Sequence, residues 1–142
     1  MRVILDANLF ISAVLVPYGR PAQILQVWRD GRFELVMSPA ILAEIRRVLH
    51  YPRLQRKHGW SESEIDAFLD GLRAAAIIVP GRVKLAVVRD NPTDDKYVSA
   101  AVEADAAYII SGDEHLKAIG SYQGIMILAP AAFLQDVLGM LE

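Results

Sequence analysis

The sequence predicts an α/β protein: a three-layer α/β/α sandwich around a central parallel sheet of roughly five strands. Three observations lead there. Short β-rich apolar runs alternate with segments of helical periodicity, the signature of βα units. The runs are almost continuously apolar, as strands covered on both faces require. Acidic residues stand where strands hand over to helices, at the rim where open α/β sheets bind ligands.

Strands are expected at Arg2–Leu5, Glu34–Met37, Ala76–Val79, Ala107–Ile110 and Ile125–Leu128. Helices are expected at Asn8–Leu15, Pro21–Arg29, Pro39–Leu49, Glu62–Ala75, Asp95–Ala104 and Pro130–Leu141. Several boundaries carry their own punctuation. Ser38-Pro39 pairs an N-cap with proline at the first helical position. Ser61 and Glu64 have the spacing of a capping box. Gly71 falls inside the helix so begun and should kink it or admit another backbone. Pro80-Gly81 and Asn91-Pro92-Thr93 mark loops.

The 142 residues fit one domain, 1–142, with no repeat, linker or low-complexity tract. A composition 54% hydrophobic and 23% charged is that of a folded, soluble chain. The absence of cysteine excludes disulfides and thiolate zinc sites. A formal charge of -2 gives no global pull on nucleic acid, so such binding needs a local basic patch. The apolar run Leu9–Val16 is too short to span a membrane, and Asp6 and Asn8 interrupt any leader-like pattern. A cytoplasmic protein without membrane association is expected.

Asp6 ends the first strand, Asp113 follows the run Tyr108–Ile110, and Glu44 and Asp95 lie on helices near the same rim. Each strand-end aspartate alone is explained by capping. Glu44 is not: it sits on the shoulder of the stripe Ile41, Ile45 and Val48, half against the core, where a carboxylate needs a partner. Asp95 has the same relation to Val98, Ala101 and Val102. Carboxylates crowded in one cleft repel unless hard cations neutralise them, which is the chemistry of Mg²⁺ or Mn²⁺ and of phosphodiester hydrolysis.

Four ordered motifs carry a resemblance: Leu5-Asp6-Ala7-Asn8, Ala43-Glu44-Ile45, Asn91-Pro92-Thr93-Asp94-Asp95, and Ser111-Gly112-Asp113-Glu114-His115-Leu116. With the closing Ile127–Leu134, the chain resembles PIN-domain ribonucleases, the family that includes VapC-type toxins of bacterial toxin–antitoxin pairs. Asn91 stands where aspartate is common and Ser111 where threonine is common. The resemblance implies a PIN-like fold and a Mg²⁺/Mn²⁺-dependent endoribonuclease that hydrolyses single-stranded RNA. It implies one or two ions held by Asp6, Glu44, Asp95 and Asp113, with Asp94 as the cap of the following helix or a further contributor. Asn8 and Ser111 would support the metal ligands or contact phosphate; capping of the first helix is an equal reading for Asn8. A cognate antitoxin protein and a homodimer are also implied.

Arg46, Arg47, Arg53, Arg56 and Lys57 form a basic stretch without an acid, flanked by Tyr51 and Trp60. Cations suit a helix C-terminus, so a solvated helix end and loop explains it; an RNA-binding surface is the functional reading. His50, His58 and His115 do not have zinc-site spacing. A haloacid-dehalogenase-like phosphatase would need an aspartate where Asn8 stands, and a receiver domain a lysine near Leu128. Two alternatives remain open: a PIN-like RNA-binding or partner-binding module with weak or no cleavage, and a housekeeping RNA-processing nuclease.

Overall fold

The computed structural model describes residues 1–140. Its order is β1 (Arg2–Leu5), α1 (Ala7–Leu15), α2 (Arg20–Arg29), β2 (Glu34–Met37), α3 (Pro39–Leu49), α4 (Pro52–His58), α5 (Glu62–Ala75) and β3 (Ile77–Ile78). A 3₁₀ turn (Pro92–Asp94) then leads into α6 (Asp95–Ala104), β4 (Tyr108–Ile110), α7 (Glu114–Lys117), β5 (Ser121–Tyr122), β6 (Ile125–Leu128) and α8 (Pro130–Ala132).

The strands lie in the order β3-β2-β1-β4-β6-β5. All pairs are parallel except β5, which adds to β6 antiparallel. The expected parallel sheet is present, with this two-residue edge strand as a sixth member. From β1 the chain moves outward to β2 and β3, then returns to the other side of β1 as β4. The order therefore reverses between β1 and β4, and the crevice that such a reversal opens lies beyond the carboxyl ends of those strands. The central strands are buried beyond their first residues: Val3, Ile4, Val36, Ile109 and Ile110 are all at most 1% exposed.

Local chemistry explains the helix ends. Ser38 caps α3 by accepting from the Ile41 N–H, and Ser61 and Glu64 complete both arms of the capping box on α5. The expected close approach at Gly71 is absent: α5 runs through it, and nothing lies within 4 Å of where a Cβ would stand. Helix α4 replaces part of the expected loop. It begins at Pro52, ends at Gly59 in the left-handed region (φ 65°), and buries only Leu54, so it has no apolar stripe to announce it. The expected helix Pro130–Leu141 is instead one short turn followed by a π turn over Phe133–Val137. The wider turn lets the consecutive Phe133 and Leu134 both enter the core, at 0% and 3% exposure. The expected end at Leu141 lies outside the described residues.

Between β3 and the 3₁₀ turn, an extended strap is laced to α6 without belonging to the sheet. The N–H groups of Val83, Leu85 and Val87 donate to Glu103 Oε1 (3.1 Å), Ser99 Oγ (2.9 Å) and Asp95 Oδ1 (2.9 Å). Val88 N–H adds a bond of 2.7 Å to the same Asp95 oxygen. The donors step by two and the acceptors by four, running antiparallel. Two extended residues rise about 6.6 Å and four helical residues about 6.0 Å, so the registers match. Val83, Leu85 and Val87 turn partly inward while Arg82, Lys84 and Ala86 are exposed.

Candidate active site

Asp6 stands immediately after β1, is 4% exposed, and caps α1 through a 3.1 Å bond from the Asn8 N–H. Its other oxygen accepts from the Ser111 hydroxyl at 2.6 Å. Ser111 follows β4 and is wholly buried, and its Oγ also accepts the Asp113 N–H at 2.9 Å. One hydroxyl thus fixes two acidic residues from neighbouring strands. The burial removes the phosphate-contact reading of Ser111, because its side chain reaches no solvent. Asp113 caps α7, accepting from the His115 and Leu116 N–H groups at 2.8 and 3.2 Å. Capping and site placement are therefore not alternatives here. The same residues do both.

Asp94 completes this group. It is 9% exposed and its pKa is pushed up to about 6, first by burial and then by the charges of Asp113 and Asp6. Lys96 and His115 oppose the rise without cancelling it. Asp94 was expected to cap α6, but its side chain makes no capping bond and accepts from Asn91 Nδ2 at 3.0 Å instead. Asp95, expected to face a metal, has one carboxylate oxygen committed to the strap at Val87 and Val88. Of the adjacent pair, Asp94 shares the electrostatics of Asp6 and Asp113.

Glu44 sits with Arg47, its hydrogen-bonding partner, and Lys96 Nζ at 3.9 Å. Tyr97 joins Glu44 to the rest. Its buried hydroxyl accepts the Ala7 N–H at 3.1 Å, and its pKa is raised strongly, first by burial and then by the charge of Asp6, with smaller contributions from Glu44 and Asp94. Lys96 lies over the Tyr97 ring, 5.2 Å from its centroid. The sequence reading missed both residues. Lys96 had one available signal, as the sole lysine or arginine between Arg89 and Lys117.

A cleft of about 530 Å³ opens at this rim, lined by Asp6, Asn8, Ser12, Asp113, Glu114 and His115. Asn8 is exposed within α1, whose cap is Asp6, so the capping reading of Asn8 falls away. The donor set is entirely carboxylate oxygen, and the charges of Asp113 and Asp6 add to burial in raising the Asp94 pKa, so the chemistry fits a hard divalent cation. The spacing is looser than a coordination shell. Among the described residues, no three acidic or histidine side chains are grouped closely enough to share an ion.

The basic stretch divides in two. Arg46 is held by Glu62 (3.0 Å) and Asp66 (2.7 Å), Arg47 by Glu44 and the Tyr51 hydroxyl. These two are tied into α3, α5 and the site. Arg53, Arg56 and Lys57 are exposed on α4 and form no ion pair among the described residues. His50 bonds Glu62 at 2.6 Å, and that bond raises its pKa. His58 bridges the Leu49 carbonyl and the Trp60 N–H, while Trp60 packs on Phe68.

Comparison with known proteins agrees with this architecture. Residues 2–115 match the family described as PIN domain. The chain is 34% identical over 116 residues to the uncharacterized protein MJ1680 of Methanocaldococcus jannaschii, covering 82% of this chain and 73% of that protein. It also superposes on a chain from the crystal structure of VapBC2 from Rickettsia felis bound to a DNA fragment from their promoter. The TM-score is 0.62 at 14% identity, over 91% of this chain and 98% of the other, a likeness of fold. With a family match across most of its length and a strand-order reversal that gathers acids at β1 and β4, the chain belongs to the PIN-domain family.

Proposed function

We propose that the protein is a Mg²⁺- or Mn²⁺-dependent endoribonuclease that hydrolyses single-stranded RNA as the toxin of a toxin–antitoxin pair. PIN domains are nucleases as a family. The observation that carries the reading for this chain is the rim at the β1/β4 reversal, where the buried Ser111 hydroxyl ties Asp6 to the Asp113 backbone and a cleft opens beside both carboxylates. Asp6, Glu44, Asp94 and Asp113 are the proposed ligands, with Asp94 in place of Asp95. A bound cation supplies Lewis acidity toward a phosphoryl oxygen and acidifies a water. Ser111 orients the Asp6 carboxylate and holds the Asp113 backbone beside it. Arg47 and Lys96 together balance the charge of Glu44, and Lys96 is a cation at this rim that would suit a substrate phosphate. Arg53, Arg56 and Lys57 are the proposed contacts to the RNA backbone.

An antitoxin partner is proposed from the VapBC2 likeness. It is supported by a groove of about 530 Å³ between α1, α2 and α5, away from the acids, beside the 90% exposed Tyr18. A homodimer, a single-domain organisation and a cytoplasmic location are proposed with it; among the described residues no helix is long and apolar enough to cross a membrane. A binding module without cleavage is the second reading, favoured by the engagement of Glu44 by Arg47 and Lys96. One assay separates them. Single-stranded RNA incubated with protein and Mn²⁺ or Mg²⁺ should be cut, and chelator or Asp6→Asn should stop the cutting. Undiminished cutting in excess chelator would defeat the metal reading; intact RNA with both ions would favour the binding module.

A further inference from the structure

Beside the acidic group, a second and smaller pocket of about 220 Å³ lies beneath the strap. Ala40 at the start of α3, Val83 and Leu85 on the strap and Ala100 on α6 give it apolar walls. Asp95 and Ser99 give it a polar end, and Lys84 and Lys96 stand at it as cations. The pocket exists because the strap is laced to α6. The same lacing leaves its polar end with unused hydrogen-bonding capacity. Ser99 Oγ accepts from Leu85 and retains a proton to donate. Asp95 takes both of its N–H bonds on Oδ1, so Oδ2 remains an acceptor.

We propose that this pocket is a nucleobase subsite, seating one base of the RNA strand whose backbone crosses the acidic rim. The inference rests on the nuclease reading for the identity of the strand, but the pocket chemistry points to the ligand independently. Pockets for drug-sized ligands begin at about 300 Å³, so this one takes a single ring system. Aliphatic walls from Ala40, Val83, Leu85 and Ala100 suit the faces of a heterocycle. A carboxylate acceptor beside a hydroxyl donor reads a base edge, and carboxylates pair with exocyclic amino groups. Lys84, exposed at the mouth, suits the attached phosphate. Lys96 spans the two sites: it lines the pocket and lies 3.9 Å from Glu44. A base held here is thereby coupled to the position of its backbone at the carboxylates. Bases with an exocyclic amino group should be preferred to uracil.

The test is an NMR titration of the full chain, without divalent metal, with AMP, CMP, GMP and UMP and with inorganic phosphate as control. Amide shifts should concentrate at Val83–Leu85, Ser99 and Ala100. UMP should bind at least about fivefold more weakly than the best of the others, the lower end of the discrimination expected from a good base-edge pair. Ala40 is exposed, so Ala40→Phe should fold normally yet cover the mouth, weakening nucleotide binding by about tenfold or more, a change of about 1.4 kcal/mol. Absence of shifts at those amides, equal response to phosphate alone, or wild-type affinity in Ala40→Phe would each overturn the subsite. Failure of the nuclease reading looks different: nucleotides would still seat under the strap while RNA stayed intact.

Discussion

Ser111 donates its hydroxyl proton to Asp6 across 105 residues of sequence, at 2.6 Å and in the buried interior. That bond aligns the ends of β1 and β4 and holds one Asp6 oxygen in a fixed direction. Ser111→Ala removes the donor and leaves the Asp113 N–H without its acceptor. The expected cost is about 2 kcal/mol in urea unfolding, because each buried group left unpaired costs about 1–3 kcal/mol. Cleavage should fall sharply, and Ser111→Thr, which keeps the hydroxyl, should restore most of it. Unchanged stability and cleavage in Ser111→Ala would remove this bond from the account.

The adjacent aspartates should separate cleanly. Asp94→Asn should abolish RNA cleavage while leaving the strap protected from amide exchange. Asp95→Asn should do the reverse in the first instance: faster exchange at Val87 and Val88, a stability loss of about 1–2 kcal/mol, and residual cleavage. Loss of cleavage in Asp95→Asn without any change in exchange would return the metal role to Asp95.

Asp94 also makes a pH prediction for the metal-free protein. Its carboxyl titrates at about 6 in the fold against an ordinary 3.8, so the folded chain holds the proton more tightly than the unfolded one. Its stabilising contribution is therefore complete below the unfolded value and is lost as pH rises through 3.8 and then 6. Asp94→Asn should match the wild type near pH 3.5 and exceed it in chelator above pH 6. The full shift corresponds to about 3 kcal/mol, which water access to the rim should reduce to about 1 kcal/mol. Thermal melts from acid to neutral pH read this difference; a constant offset between the proteins would count against it.

Charge removal on α4 tests the RNA surface. Arg53→Gln, Arg56→Gln and Lys57→Gln together should lower RNA affinity and flatten the salt dependence by about 0.7 for each phosphate no longer neutralised. Stability should hold, since these side chains make no ion pairs among the described residues. Arg46→Gln should instead loosen the packing of α3 on α5 through Glu62 and Asp66. If neither affinity nor salt slope responds to the triple change, RNA enters elsewhere, and the exposed Arg82 and Lys84 of the strap become the nearest basic route.

The strands and most helices were legible because burial on two faces or one leaves a periodic record. Asp6 and Asp113 were legible for a related reason: a strand's end fixes where the next side chain stands. The Asp94–Asp95 pair was not. Pro92 starts a 3₁₀ turn that ends at Asp94, so a helical wheel extended backward from Val98 describes Asp95 and not its neighbour. The strap takes one oxygen of Asp95 on the shoulder assigned to a metal, and it has no strand partner and so leaves little sign of where it will pack. Helix α4 was hidden by its single buried residue, and the C-terminal helix was overextended because its apolar spacing fits a π turn equally well.

The lacing of strap to helix also sets a rule for chain length. Adding one residue between Val83 and Val87 would reverse the alternation beyond the insertion and turn an aliphatic side chain such as Val87 toward water. Adding two would preserve the alternation but overrun the three acceptors Asp95, Ser99 and Glu103. Insertions among relatives should therefore collect before Val83 or after Val88. This stretch should vary in composition at Arg82, Lys84 and Ala86 while its number of residues stays constant.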